Sequence, residues 1–192
     1  MFGLPPAQKF TGAQIIAAAL NIARQGGIEA VTARGLGLRL GTSSRPIFTA
    51  FRNMEQVQRE TVKAARALYN GYVERGLAET PAFKGVGMQY IRFAREEAQL
   101  FKLLFMSAGE TQRALENVLP AIDENSGRII AEIEKSYALS REAAYKLYQR
   151  MWIFTHGIAC LCATGVSSFT DAETGALLSE VCVCMLAEFK RV

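Results

Sequence analysis

Residues 31–51 constrain the fold of this chain more than any other segment. They hold two short helical patterns on either side of Gly41. Leu36 and Leu40 lie four apart and share one side of the first pattern. Gly41 suits the left-handed backbone that ends a helix. Ser43 is expected to cap the second helix, and Pro46 falls in its first turn, where a missing N–H costs little. Ile47 and Phe51, again four apart, are expected to pack the second helix onto the first. Ser44, Arg45, Phe48, Thr49 and Arg52 then point outward, a face of the kind that enters a DNA groove. An ordinary helical hairpin carries the same pattern, so spacing alone does not separate the two. Gly35 and Gly37 sit inside the first helix, where each costs roughly 1 kcal/mol relative to Ala. This predicts a soft hairpin.

Helical periodicity runs through the rest of the 192 residues. A first helix is expected over 10–26, with Ile15, Ala19 and Ile22 beside Ile16, Leu20 and Ala23. Asn53 and Gln56 have capping-box spacing for a long helix to about residue 78, which Thr80-Pro81 ends. Further helices are expected over 83–95, 97–106, 110–118, on to 137, 140–164 and 171–190. Pro120 interrupts one of them, and Asp171 is expected to cap the last. The 97–106 segment is apolar all round (Leu100, Phe101, Leu103, Leu104, Phe105, Met106), which predicts burial. There is no sign of strands. The fold class expected is all-α, with a three-helix domain over 1–53 and a larger helical domain over 54–192.

Charge is unevenly placed. Residues 1–60 hold seven basic and three acidic side chains, which accounts for the whole formal excess of +4. A phosphate-facing surface needs such a bias, although a solvated surface can also carry one. Half the residues are hydrophobic, and a chain this long buries roughly 70% of its unfolded surface. No run reaches the ~18 apolar residues of a membrane span, and no leader pattern opens the sequence. A cytoplasmic protein with no membrane partner is expected.

Cys160, Cys162, Cys182 and Cys184 form two Cys-x-Cys pairs. On a helix, residues two apart point about 200° apart, so one pair chelates an ion poorly. Packing as small apolar residues is the expected role, with no metal and no cofactor; a thiol or metal sensor is the alternative.

Residues 12–57 resemble the helix-turn-helix domain of TetR-type bacterial regulators. The lead Gly27-Ile-Glu-Ala-Val-Thr32, the spacing of Ser43, Ile47, Phe48 and Phe51, and Glu55 with Val57 carry that resemblance. Tyr90-Ile-Arg-Phe-Ala-Arg-Glu-Glu97 and Leu100-Phe-Lys-Leu-Leu-Phe-Met106, with Trp152, His156 and Gly157, look like one C-terminal subclass of the family. The chain departs from the family pattern at Phe48, Ala50 and Met54, where Tyr, His and Lys are usual and touch phosphates. The resemblance implies double-stranded operator DNA as partner, bound by a homodimer and released by a small molecule, with repression the expected outcome. A ligand-binding protein of the same fold with weakened or lost DNA binding is the alternative. Thr32, Ser43 and Ser44 are expected to position phosphates, with Arg45 reading bases beside Phe48, Thr49 and Arg52.

Tyr145, Gln149, Trp152 and His156 share one helix face by spacing. Aromatic walls with polar tips suit an organic ligand. Tyr90, Phe93, Phe101 and Phe105 are expected to supply facing walls, and His156 to direct a polar end of the ligand. A core of hydrogen-bonded Tyr and His reads the same way. Leu147, Met151, Phe154, Ile158 and Leu161, with Leu178, Cys182, Met185 and Phe189, are expected to form a dimer seam. Glu96-Glu97 and Asp123-Glu124 look like solvated helix-end charges. Gly85-Val-Gly87 follows no strand, so it is weak as a nucleotide fingerprint. No catalytic set is present, and an enzyme is not expected.

Overall fold

The computed structural model describes residues 10–107, 119 and 123–189. They are helical, with no strand among them. The chain divides into two compact units between Ala67 and Leu68. The division falls inside a helix, later than the expected boundary after residue 53. Segments 110–118 and 120–122 of the expected helices lie outside the described residues.

In the first unit, α1 spans Gly12–Gly26 and opens on a Thr11–Gln14 capping box. A 3-10 turn over Ile28–Ala30 leads to α2 (Ala33–Arg39). The Thr32 hydroxyl caps α2 by accepting from Gly35 N at 3.1 Å. A turn through Gly41, φ +63°, leads to α3 (Arg45–Ala50). Ile15, Ala19, Val31, Leu36, Ile47, Phe51 and Val57 are buried, as helical spacing requires.

Three details of this hairpin differ from expectation. Ser43 is exposed and does not cap α3, which starts one residue later from Ser44 without a side-chain cap. Arg52 lies beyond the end of α3, after the extended Phe51. Gly37 is a packing requirement: a Cβ there would lie 2.9 Å from the Thr42 carbonyl oxygen. That carbonyl belongs to the turn whose Thr42 N–H bonds Gly37 O at 2.9 Å. The backbone can come this close only because Gly37 has no side chain.

Helix α4 spans Met54–Leu77. Asn53 Oδ1 accepts from Gln56 N at 2.9 Å, and Gln56 reaches back to Arg52 N. Val57, Thr61 and Ala65 are buried on its first half, and Tyr69, Tyr72 and Val73 on its second.

In the second unit, α5 spans Ala82–Glu96. It passes close to α4 where both lack side chains, since a Cβ on Gly85 would lie 2.4 Å from Gly76 O. Gly85 is therefore a contact residue of two helices. Helix α6 (Ala98–Phe101) runs on as a π turn over Lys102–Met106. The wider winding breaks the α period. Leu100 and Phe101 are buried, but Leu103, Leu104 and Phe105 are half-buried and Met106 is exposed, so this segment is less buried than expected. Helices α7 (Ser126–Tyr137), α8 (Arg141–Thr164) and α9 (Asp171–Phe189) complete the unit. Ser140 caps α8 by accepting from Ala143 N. The cap of α9 is Thr170 with Glu173, not Asp171. Asp171 instead accepts from Arg92 and Arg95 of α5, each at 2.6 Å.

Gly37→Ala tests the hairpin packing. Helix propensity alone favours Ala by about 1 kcal/mol, while the clash with a backbone oxygen opposes it. A net loss of about 1–3 kcal/mol is expected, read as a lower midpoint in thermal unfolding.

Candidate functional site

Side chains of α4, α5, α7, α8 and α9 line a cavity of about 200 Å³ within the second unit. Helical spacing brings Phe83, Val86 and Tyr90 of α5 to it, with Gly87 between. Tyr148, Met151, Trp152 and Thr155 face it from α8, and Leu178, Cys182, Val183 and Leu186 from α9. Tyr69 and Tyr137 complete the ring of aromatic walls, and among the described residues Lys84 is the one charged side chain on the lining.

Of the eight residues expected to bind a ligand, Tyr90 and Trp152 line this cavity. Phe93, Phe101, Phe105, Tyr145, Gln149 and His156 do not. Phe93 and Phe101 are fully buried and pack with Phe105, Tyr69 and Tyr90, ring to ring at 4.9–6.4 Å. They form the core behind the cavity wall. His156 is held within the protein. Its Nδ1 shares a 2.9 Å hydrogen bond with the Tyr90 hydroxyl, and Nε2 lies 3.4 Å from Cys160 Sγ. Trp152 stacks on the imidazole at 4.9 Å. Burial lowers the His156 pKa below its ordinary 6.5.

The main surprise is Asp123, expected at a solvated helix end. It is only 4% exposed. Its Oδ2 accepts from Tyr69 at 2.9 Å and from Tyr148 at 3.5 Å, and Oδ1 accepts from Asn125 N at 2.8 Å. Both phenols line the cavity, so a carboxylate lies directly behind two of its polar groups. Burial first, then the Asp123 charge, pushes the Tyr69 and Tyr148 hydroxyls well above 10. Tyr90 is raised too, chiefly by burial, with smaller contributions from Cys160 and Asp123. Glu124, its neighbour, is exposed as expected and pairs with Asn70. The phenol partners of Asp123 lie 54 and 25 residues away in the sequence.

The cysteines divide. Cys182 is buried beside the cavity, where burial raises its thiol and a hydrogen bond with Tyr137 pulls it back. Burial and that contact push Tyr137 up to about 12. Cys160 and Cys162 are half-buried, and Cys184 is exposed rather than packed. Among the described residues no three His, Cys, Asp or Glu side chains come together as a metal site, and no helix is long and apolar enough to cross a membrane.

In the first unit, Thr32, Ser43, Arg45, Thr49 and Arg52 are exposed, Ser44 is half-buried and Phe48 is 49% exposed. Thr49 donates to Arg45 O. Thr32 is occupied as the cap of α2.

Part of the face expected to form a dimer seam is used inside the protomer. Leu147, Met151, Ile158, Leu178 and Cys182 are buried within the protomer. Apolar side chains left in water are Ile153 (49%) and Leu161 (38%) on α8, four residues either side of exposed Gly157, and Val183 (64%) on α9.

A family model described as "Tetracyclin repressor-like, C-terminal domain" matches residues 83–183. No curated protein matches the chain. The matched span is more than half of the sequence and holds most of the cavity wall. The chain belongs to the tetracycline-repressor-like family.

The His156 environment sets a pH response. Folding holds the imidazole neutral, so the unfolded chain takes up its proton first. The stability tied to this group is complete above 6.5 and is lost as pH falls below that value towards the folded pKa. Thermal midpoints measured between about pH 7.5 and about 5.5 are expected to fall less in His156→Gln than in the unaltered protein.

Proposed function

From this membership we propose that the chain is a ligand-responsive transcriptional regulator, a repressor that binds a palindromic operator as a homodimer in the cytoplasm and leaves it when a small molecule occupies the cavity. The observation that carries the reading is the pairing of the family match with an aromatic-lined cavity in the same helices. The second support is the short helix α3, reached through a tight turn and presenting Arg45, Phe48 and Thr49 to solvent.

The mechanism follows from general physics. α3 enters the major groove, and a two-fold dimer places two copies one helical turn apart. Arg45 pairs with a guanine edge, worth about 1–3 kcal/mol of discrimination. Phe48 has no hydroxyl to give a phosphate and meets apolar base edges such as the thymine methyl. Thr32, Ser43, Ser44 and Arg52 lie where the backbone runs. Thr32 has one hydroxyl lone pair committed to Gly35 N, and a hydroxyl keeps its proton for a phosphate while accepting. A ligand acts by its differential affinity for the DNA-competent state and the alternative state. Non-enzymatic binding at both sites accounts for the residues present.

Two experiments test this. A gel-shift selection from random duplexes is expected to return a palindrome. Arg45→Ala is then expected to weaken binding about tenfold or more and to relax one position per half-site. A chain that retards no duplex contradicts the reading, as a ligand-binding protein without DNA would. For the dimer, the face of Ile153, Gly157, Leu161 and Val183 is expected to pair with its copy, burying more than roughly 1,200 Å² in total. Leu161→Glu is expected to give monomers by light scattering at low micromolar concentration. A fully dimeric mutant rejects that seam.

A further inference from the structure

The hydrogen-bond inventory of the cavity wall points to the charge of its occupant. Tyr69 and Tyr148 donate their hydroxyl protons to Asp123. Thr155 donates to Met151 O at 2.7 Å, and Ser179 to Gly175 O at 2.8 Å. Tyr90 is engaged with His156. The hydroxyls of Tyr69, Tyr148, Thr155 and Ser179 thus spend their protons on protein acceptors, and what a phenol keeps in that state is acceptor lone pairs.

Asp123 adds a second, independent observation. It accepts three hydrogen bonds in a buried site, and among the described residues no cation pairs with it. Its field reaches the wall: it contributes to the raised pKa of Tyr69, Tyr90 and Tyr148. Rings also surround the space, and the faces of aromatic rings attract cations. Among the described residues the opposing charge is Lys84, half-buried on α5. Lys84 also borders an open groove lined by Glu79 and Asp171.

We propose that the cavity takes a lipophilic monocation, an ammonium on a small aromatic or branched alkyl body, with the charge set against the phenol oxygens of Tyr69 and Tyr148 in front of Asp123. The proposal rests on the reading of this half as ligand-binding and names the chemical class that reading leaves open. A neutral molecule of equal shape forgoes the attraction, and an anion meets the buried carboxylate.

The test uses three probes of similar size: benzyltrimethylammonium, its neutral carbon isostere neopentylbenzene, and 3-phenylpropanoate. Trp152 is the only tryptophan and lines the cavity, so its emission reports occupancy in the full chain. The cation is expected to bind at least about tenfold more tightly than the isostere, as desolvated cation–aromatic and charge contacts allow. Asp123→Asn keeps an acceptor for the two phenols, and is expected to remove that preference while leaving the isostere unchanged. Lys84→Met is expected to leave cation binding equal or tighter. Equal binding of cation and isostere, preference for the carboxylate, no response to the cation, or a preference that survives in Asp123→Asn overturns the assignment. The comparison of probes on the unaltered protein stands even where a variant fails to fold. Release of DNA by the neutral or anionic probe would reject the cation and keep the regulator; tight cation binding by a protein that holds no DNA would do the reverse.

Discussion

A carboxylate removed from water is costly unless hydrogen bonds replace its hydration. Asp123 meets that demand with two phenols and a backbone N–H. Tyr69 comes from α4, Tyr148 from α8, and Asp123 from the turn before α7. One small group therefore fixes three elements of the second unit, and it fixes them around the cavity. The same hydrogen bonds consume the phenol protons, which sets what the cavity offers a ligand. Packing and chemistry meet here in a single residue.

The rest of the unit supports that arrangement. Behind Tyr69 and Tyr90, the rings of Phe93, Phe101 and Phe105 pack edge to face or tilted, geometries that aromatic quadrupoles favour. Beside them, His156 joins Tyr90 to Cys160 and lies under Trp152. Arg92 and Arg95 hold the start of α9 through Asp171. These pairs are partly exposed and salt-screened, so they serve register more than stability.

Much of this was legible in the sequence, for local reasons. Gly41, Asn53 and Ser140 act where spacing placed them, because caps and turns are decided within four residues. The apolar faces of α1, α2 and α3 follow from period alone. Other features needed three dimensions. Asp123 finds partners far along the chain, and nothing nearby in sequence marks it as buried. Helix α8 is apolar nearly all round, so its period could not say which side faces the protomer; Ile153 and Leu161 remain outside where Leu147 and Met151 go in. Phe93, Phe101, Phe105 and His156 read as pocket walls by spacing because aromatic core and aromatic pocket share one pattern, and only packing divides them. The cap of α9 moved by one residue because two arginines of α5 claim Asp171.

The central claim is that occupancy of this cavity and binding of DNA are energetically coupled, and coupling between two ligands is reciprocal. The direct measurement is the dissociation constant of benzyltrimethylammonium, read from Trp152 emission, with and without a saturating selected operator duplex. The account predicts weaker binding of the cation on DNA, by the same factor by which the cation weakens the DNA complex. Equal constants with and without DNA, for a cation that does fill the cavity, would contradict it.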